Sequence, residues 1–141
     1  MTEEDRKLLL KDLCARQIYS VKCQVFNDAN PYTLSGILHN KPFSQLYFEE
    51  LDWKEYDGFV NVEYCKPYLF PLSSMTEEQK KEYNFWKHEV PVCHYEYGDI
   101  VDEVELFDSP ESFEYLIENH FDYRGLIEKG LAIDATNKNI Y

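Results

Sequence analysis

The chain has 141 residues, a formal net charge of −13 and an aromatic content of 16%. This length suits one domain with one hydrophobic core, and the many large apolar side chains exclude a disordered chain, because their burial offsets the entropy lost on folding. No apolar run reaches the ~18 residues that a membrane-spanning helix needs, and the charged N-terminus lacks the order of a signal peptide. We therefore expect one cytoplasmic domain over residues 1–141, with no membrane as partner.

The first predicted element is a helix over residues 3–16. Thr2 precedes three acidic residues, and a hydroxyl followed by acids favours a helix N-terminus, where the backbone donors and the helix dipole attract negative charge. The apolar residues then recur at helical spacing: Leu9, Leu10, Leu13 and Cys14. This stripe is expected to pack on the core.

From Ser20 onward apolar and polar residues alternate, which is typical of a half-buried strand. Four strands are predicted, at 21–25, 32–39, 43–49 and 59–64, with a turn at 40–42 and an acidic, aromatic loop at 52–58. Short strands joined by short turns predict an antiparallel sheet. That sheet either closes into a small barrel of the SH3 or OB type or stays open with a helix on one face.

The later strands are less regular. Residues 66–71 contain two prolines, which cannot donate to a sheet, so we expect an extended edge segment there rather than a central strand. Two more strands are predicted at 90–97 and 100–106, on either side of Gly98 and Asp99.

Two further helices are marked by their first residues. Thr76 followed by Gln79 forms a capping box and predicts a helix over 76–87. The run 109–111, Ser-Pro-Glu, places proline at the first helical position and predicts a helix over 110–120. The core-facing side of this helix is predicted to consist of Phe113, Leu116, Ile117 and His120. The fold class is therefore α+β, with a small antiparallel sheet flanked by three helices.

Two long runs resemble a known family. Residues 66–78, KPYLFPLSSMTEE, resemble a run of the form KPYLRPLSSMTEEE, and residues 120–132, HFDYRGLIEKGLA, resemble HHFDYRGLIEKGLA. With residues 8–16, LLLKDLCAR, they are similar to an uncharacterised family of small proteins from gut-bacterial phages and prophages. The resemblance implies a phage or mobile-element origin and a cytoplasmic setting in a bacterial host. It implies no activity, and Phe70 stands where the family run has arginine.

The second shared run contains a candidate ligand-binding site. His120, Asp122, Tyr123 and Arg124 bring an imidazole, a carboxylate, a phenol and a guanidinium within five residues, a set that can perform acid–base chemistry or bind an anion. The structural alternative is that Asp122 caps a turn over 123–129, with Gly130 as its left-handed end, and that Arg124 pairs with a nearby acid.

The acidic residues are concentrated in one stretch. Residues 76–122 carry 14 Asp and Glu against three Lys, and no Lys or Arg lies between His88 and Tyr123. Such a surface repels a phosphate backbone, so direct nucleic-acid binding is disfavoured and a basic protein partner is favoured. The candidate partner-binding residues are Asp99, Asp102, Glu103 and Glu105. The competing interpretation is that the charge serves solubility.

Thiol and metal chemistry find little support in the sequence. Cys14, Cys23, Cys65 and Cys93 are irregularly spaced, and we expect them to be reduced and buried. Adjacent Cys93 and His94 would point to opposite faces of a strand, and a zinc set that adds His88 and Cys65 matches no standard spacing. The acidic stretch also lacks the pattern of a Ca²⁺ loop. We predict no metal.

The sequence carries no nucleotide-binding or catalytic motif, so we predict no cofactor and favour a binding protein over an enzyme. The leading hypothesis is macromolecular binding to a basic host or phage protein, in one version by mimicking nucleic acid in a basic groove. The alternative is a small-molecule binder or enzyme that takes an anionic ligand at residues 120–124.

Overall fold

A computed structural model describes residues 1–39, 44–52 and 57–141, with the side chains of 94, 95 and 100–102 outside the description. Its helices and strands follow the order α1 (Glu3–Arg16), β1 (Lys22–Val25), β2 (Tyr32–Thr33), β3 (Gly36–His39), β4 (Ser44–Tyr47), β5 (Phe59–Asn61), β6 (Cys65–Pro71), α2 (Glu77–Trp86), β7 (His88–Glu96), β8 (Asp99–Phe107), α3 (Pro110–Glu118), β9 (Phe121–Asp122) and β10 (Ile133–Asp134). The α+β class is confirmed, and the three helices lie within two residues of their predicted bounds. The predicted turn at 40–42 and most of the predicted loop at 52–58 lie outside the described residues.

The chain divides into two compact units. The first unit comprises Met1–Ser74 and His120–Tyr141, and the second unit comprises Met75–Asn119. The expectation of one domain over residues 1–141 stays a prediction. No helix in the described part of the chain is long and apolar enough to cross a membrane.

Helix α1 begins with the predicted cap. The Thr2 hydroxyl accepts a hydrogen bond from the Asp5 amide at 3.0 Å, and the Asp5 carboxylate accepts one from the Thr2 amide. Leu9 and Leu13 are fully buried, as the apolar stripe predicts, whereas Cys14 is exposed. The helix also buries Asp12 and Arg16, which no apolar pattern could indicate.

A five-stranded sheet forms the centre of the first unit. Its order is β10–β6–β1–β2, and β9 also pairs with β6. Strand β1 pairs antiparallel with both β2 and β6, whereas β9 and β10 pair parallel with β6. The sheet and α1 contribute to one core that includes Leu9, Leu13, Val21, Cys23, Val25, Tyr32, Leu34, Cys65, Leu69 and Leu126.

Strand β6 corrects one prediction. The proline-containing segment is a central strand and not an edge segment, with Pro67 opposite Cys23 and Pro71 opposite Asp122. Pro71 is tolerated because it ends the strand, and its neighbour Phe70 donates its amide to the His120 carbonyl at 2.8 Å. Pro67 is tolerated because bonded and non-bonded pairs alternate from the Phe26–Tyr64 hydrogen bond, which makes Pro67 and Cys23 a non-bonded pair that needs no donor toward β1.

The remaining predicted strands are divided between sheets. Residues 32–39 do not form one strand, since β2 joins the five-stranded sheet and β3 joins a separate sheet of order β3–β4–β5. The strand predicted over 59–64 ends at Asn61 and continues as a single 3-10 turn. The described strands form no closed barrel of the SH3 or OB type, because they separate into sheets that do not join edge to edge.

The second unit consists of α2, a β7–β8 hairpin and α3. Helix α2 begins with the predicted capping box at Thr76, and α3 begins at the predicted Ser109–Pro110 start, where Ser109 and Ser112 form a second capping box. Tyr83 stacks on Tyr115, with 6.2 Å between ring centroids, and Tyr115 donates to Glu82 at 3.1 Å. These contacts join α2 to α3, and the buried Tyr115 was absent from the predicted core-facing side of α3, where Phe113 is instead 40% exposed.

The hairpin confirms the two strands predicted around Gly98. Its nine residue pairs run from Glu96 opposite Asp99 to His88 opposite Phe107. The two turn residues, Tyr97 and Gly98, both have positive φ, 51° and 87°. This is the conformation of a type I′ turn, whose twist matches that of the flanking strands.

Candidate functional site

The candidate residues 120–124 lie on the first unit, where the chain enters and leaves β9. His120 has a φ of 62°, and its carbonyl accepts the Phe70 amide, so its backbone is bound to β6. Its ring stacks on Tyr141, with 3.9 Å between ring centroids and an interplanar angle of 11°. The Tyr141 hydroxyl in turn accepts from the Lys22 amide and donates to the Tyr68 carbonyl. The imidazole is therefore stacked on a ring whose hydroxyl is bonded to two backbone groups.

Burial and the nearby Arg16 charge lower the pKa of His120 to about 4. His120 is 8% exposed, and its Nδ1 atom has no hydrogen-bond partner among the described residues. A neutral imidazole is therefore the form present at neutral pH. Burial also raises the pKa of the stacked Tyr141 phenol.

Asp122 acts on the backbone that follows it. Its Oδ1 atom accepts from the Leu126 amide and its Oδ2 atom from the Ile127 amide, both at 2.9 Å. Asp122 is 8% exposed. Both carboxylate oxygens are thus engaged in fixing the 126–130 turn, which ends in the left-handed Gly130. The predicted cap is confirmed, although its amide partners lie at Leu126 and Ile127 and the segment is a turn rather than a helix.

Arg124 joins a buried ionic network with α1. Its Nε atom lies 3.3 Å from Asp12 Oδ1, while Arg16 Nε donates to Asp12 Oδ2 at 2.8 Å. Arg16 also donates to the Phe121 carbonyl at 2.6 Å. Asp12 and Arg16 are fully buried, and the Arg124 side chain is 19% exposed. The predicted pairing of Arg124 with an acid is confirmed, and the acid is one that sequence spacing could not identify.

The Tyr123 ring lies near both guanidinium groups. The Arg124 carbon Cζ is 4.7 Å from the Tyr123 ring centroid and that of Arg16 is 5.8 Å from it. The candidate residues are thus brought together, but largely for internal contacts: capping, ion pairing and stacking. The cavities described in the first unit, of about 150 and 100 Å³, are lined by residues outside 120–124.

The candidate acidic residues lie on β8 in the second unit. Asp99, Glu103 and Glu105 are exposed, and Asp102 is paired in register with Cys93, its side chain being outside the description. Register places Val92 opposite Glu103 and Val90 opposite Glu105. Neither of these two glutamates therefore has a basic residue directly opposite it on β7.

An aromatic groove in the second unit was missed by sequence reasoning. This cavity of about 220 Å³ is lined by Trp86, Glu111, Glu114, Tyr115 and Glu118. Trp86 is 46% exposed, and burial, together with the hydrogen bond to Glu82, raises the pKa of Tyr115 to about 12. Among the described residues, no salt bridge involves Glu111 or Glu118. The spacing of the four α3 residues, i, i+3, i+4 and i+7, was the available signal, because it places them on one helix face.

The cysteines are divided between interior and surface. All four are free, with Cys23 and Cys65 buried in the first unit and Cys14 and Cys93 exposed. The expectation that all are buried is therefore wrong for two of them. Burial and a hydrogen bond with Cys65 raise the pKa of the Cys23 thiol, which keeps it protonated and unreactive. The described residues contain no group of three or more His, Cys, Asp or Glu side chains suited to a metal ion.

Comparison with known proteins adds no relationship: no family model, no curated protein and no solved structure matches the chain.

Proposed function

We propose that this chain is a small accessory protein of phage or prophage origin that binds a basic protein through the acidic surface of its second unit. The observation that carries the proposal is the separation of charge between the units. The second unit contains 13 Asp and Glu residues and three Lys, a net charge of −10 out of −13 for the chain. Charge needed only for solubility has no reason to be concentrated in 45 residues.

Exposed apolar side chains on the same unit support a binding role. Trp86, Phe85 and Tyr97 are 46%, 77% and 99% exposed, and β8 adds Val104, Leu106 and Phe107, each more than 40% exposed. Aromatic residues are enriched at protein interfaces, where they supply buried area that charge alone does not. A surface that combines carboxylates with aromatic rings suits a partner with lysine or arginine side chains, whose cations can lie over ring faces.

The aromatic groove is a concave feature of the same unit. Trp86 and Tyr115 form its apolar lining, and three glutamates of α3 surround it. A lysine or arginine side chain would place its apolar stem against the rings and its charge near the carboxylates. In the nucleic-acid-mimicking version of the proposal, the partner is a nucleic-acid-binding protein, and DNA or RNA competes for its basic groove.

The test compares two triple variants with equal loss of charge. In the first, Asp99→Asn, Glu103→Gln and Glu105→Gln remove three exposed carboxylates of β8. In the matched control, Glu4→Gln, Glu49→Gln and Glu128→Gln remove three exposed carboxylates of the first unit. Proteins retained from host lysate by each immobilised variant are identified by mass spectrometry, and their affinities are measured at low and high salt.

We expect a basic protein that binds the parent and the control but binds the β8 variant roughly tenfold more weakly, as the loss of three exposed charge contacts implies. High salt should weaken parent binding steeply, because the Debye length falls from about 8 Å at physiological salt to about 3 Å at 1 M. Equal binding by both triple variants at both salt concentrations would reject the proposal and leave solubility as the role of the charge.

A further inference from the structure

The hairpin ladder determines which backbone groups of β8 face outward. In a hairpin with a two-residue turn, the residues that flank the turn, Glu96 and Asp99, exchange both of their hydrogen bonds. Bonded and non-bonded pairs then alternate along the strands. The amides and carbonyls of residues 100, 102, 104 and 106 on β8, and of 89, 91, 93 and 95 on β7, therefore point away from the partner strand.

The two outer edges differ in their capacity to accept another strand. On β7 the outward position 91 is proline, which has no N–H and blocks the middle of that edge. On β8 none of the four outward positions is proline, and no described strand pairs with this edge. Strand β8 is nine residues long, and Val104 is 62% exposed. A long, uninterrupted edge of this kind is a template for another chain.

The side chains beside this edge specify the chemistry of that chain. Glu103 and Glu105 lie on one face of β8, and Val104 and Leu106 lie on the other, because successive side chains alternate. Asp99 shares the face of the glutamates, and directly opposite it stands the like-charged Glu96. Self-pairing of two β8 edges would bring these carboxylates together, which is unfavourable. A strand with basic residues on the acidic face would neutralise them.

We propose that β8 accepts an extended segment of a basic partner protein as a third strand, with lysine or arginine residues alternating with apolar ones. The basic side chains lie beside Asp99, Glu103 and Glu105, and the apolar ones lie beside Val104 and Leu106. Main-chain hydrogen bonds to the outward positions of β8 hold the segment in register. This inference rests on the proposed function and assigns the mode by which the acidic surface binds.

The probe is a nine-residue peptide of alternating lysine and valine with blocked ends, and binding is measured by isothermal titration calorimetry. Two further peptides keep the same side chains but are N-methylated. The first is methylated on every valine amide, and the second is methylated on every lysine amide. In an antiparallel addition the valine amides face β8, and in a parallel addition the lysine amides do. We expect one methylated peptide to lose binding roughly tenfold or more and the other to retain it.

A pair of protein variants tests the same edge from the other side. Val104→Pro removes an outward donor of β8, and Cys93→Pro removes an outward donor of the already blocked β7 edge, while neither uses an amide that the hairpin needs. We expect only Val104→Pro to weaken binding of the unmethylated peptide. Should Val104→Pro fail to fold, residue-resolved hydrogen exchange on the parent protein replaces it: peptide should protect the amides of Val104 and Leu106 and leave that of Cys93 unchanged.

Equal binding of all three peptides, or equal weakening of both methylated ones, overturns strand addition and leaves a purely electrostatic interaction, in which case the proposed function stands. If the peptide does not bind and the parent retains no basic protein from lysate, both proposals are rejected. Concentration-dependent self-association, measured by analytical ultracentrifugation and abolished by Val104→Pro, would assign the edge to a second copy and overturn the basic partner.

Discussion

Single side chains in the first unit connect segments that are far apart in the chain. The fully buried Asp12 pairs with Arg16, also fully buried, on its own helix and with Arg124 of the C-terminal segment, which is 19% exposed. Removing one member of such a buried set leaves an uncompensated charge, which is more harmful than removing the whole set. The main role of residues 120–124 is therefore to attach the C-terminal segment to α1 and β6.

Asp122→Ala should lower the free energy of unfolding by at least about 1 kcal/mol, because two amides lose their acceptor and the Leu126 amide is buried. Chemical denaturation measures the change. The matched control is Asp134→Ala, which removes an exposed acceptor of the Thr136 amide and should cost less. Full stability of Asp122→Ala together with loss of a binding activity would instead favour the ligand-site hypothesis.

His120 predicts a specific pH dependence. Its pKa is about 4 in the folded protein and about 6.5 when unfolded, so the unfolded chain binds more protons between these values. The contribution of His120 to stability is therefore present above about pH 6.5 and is lost as the pH falls towards 4.

His120→Asn removes this titration and suits the left-handed backbone at that position. Denaturation of parent and variant across pH 4–7 gives the difference, in which the contributions of the other histidines cancel. We expect the advantage of the parent to shrink on acidification. A difference that stays constant over this range would contradict a buried neutral imidazole.

At the scale of elements, local sequence signals set where helices and hairpins form, whereas the packing of a sheet also depends on contacts between strands. The capping boxes define where α2 and α3 begin, and the I′ turn defines the β7–β8 pairing. The meander of β3, β4 and β5 depends in addition on a tight approach at Gly58, which has a φ of 80°. A Cβ atom there would lie 2.6 Å from Tyr47 Cε2 and 3.1 Å from the Phe48 carbonyl oxygen.

Gly58→Ala should therefore destabilise the protein by more than the roughly 1–2 kcal/mol that left-handed backbone strain alone costs an L-residue. Gly130→Ala is the control, since Gly130 also has positive φ, 72°, but no atom within 4 Å of its added Cβ. Thermal unfolding of the two variants gives the comparison. Equal losses would mean that Tyr47 moves aside without cost.

At the scale of the whole molecule, charge and apolar exposure coincide on the second unit. The first unit has a net charge of −3 and contains the main core cluster, whereas the second unit has a net charge of −10 and exposes a long hairpin. An isolated two-stranded hairpin is marginally stable in water, so a third strand would stabilise β7 and β8 as well as the complex. The matched triple variants test whether the acidic surface binds a partner, and the methylated peptides test whether the partner adds to β8 as a strand.

The sequence by itself determined the elements whose signals are local. Thr2, Thr76 and Ser109 satisfy amides within three residues, so the three helices could be predicted from their caps. The alternation on either side of Gly98 likewise predicted the hairpin, since its two strands are adjacent in the chain. The acidic candidate residues were found for the same reason, because charge density along a chain is visible without a fold.

Tertiary structure alone decided what depends on distant partners. The two prolines predicted that residues 66–71 lie at the edge of a sheet. Whether a strand residue needs its amide as a donor depends on the neighbouring strands, and here β9 and β10 from the C-terminal segment pair with β6. The choice between a ligand site and a structural role for Arg124 depended on Asp12, which is 112 residues away in sequence and 3.3 Å away in space. Spacing along the chain cannot predict such contacts, because burial and ion pairing depend on which distant segments meet when the core forms.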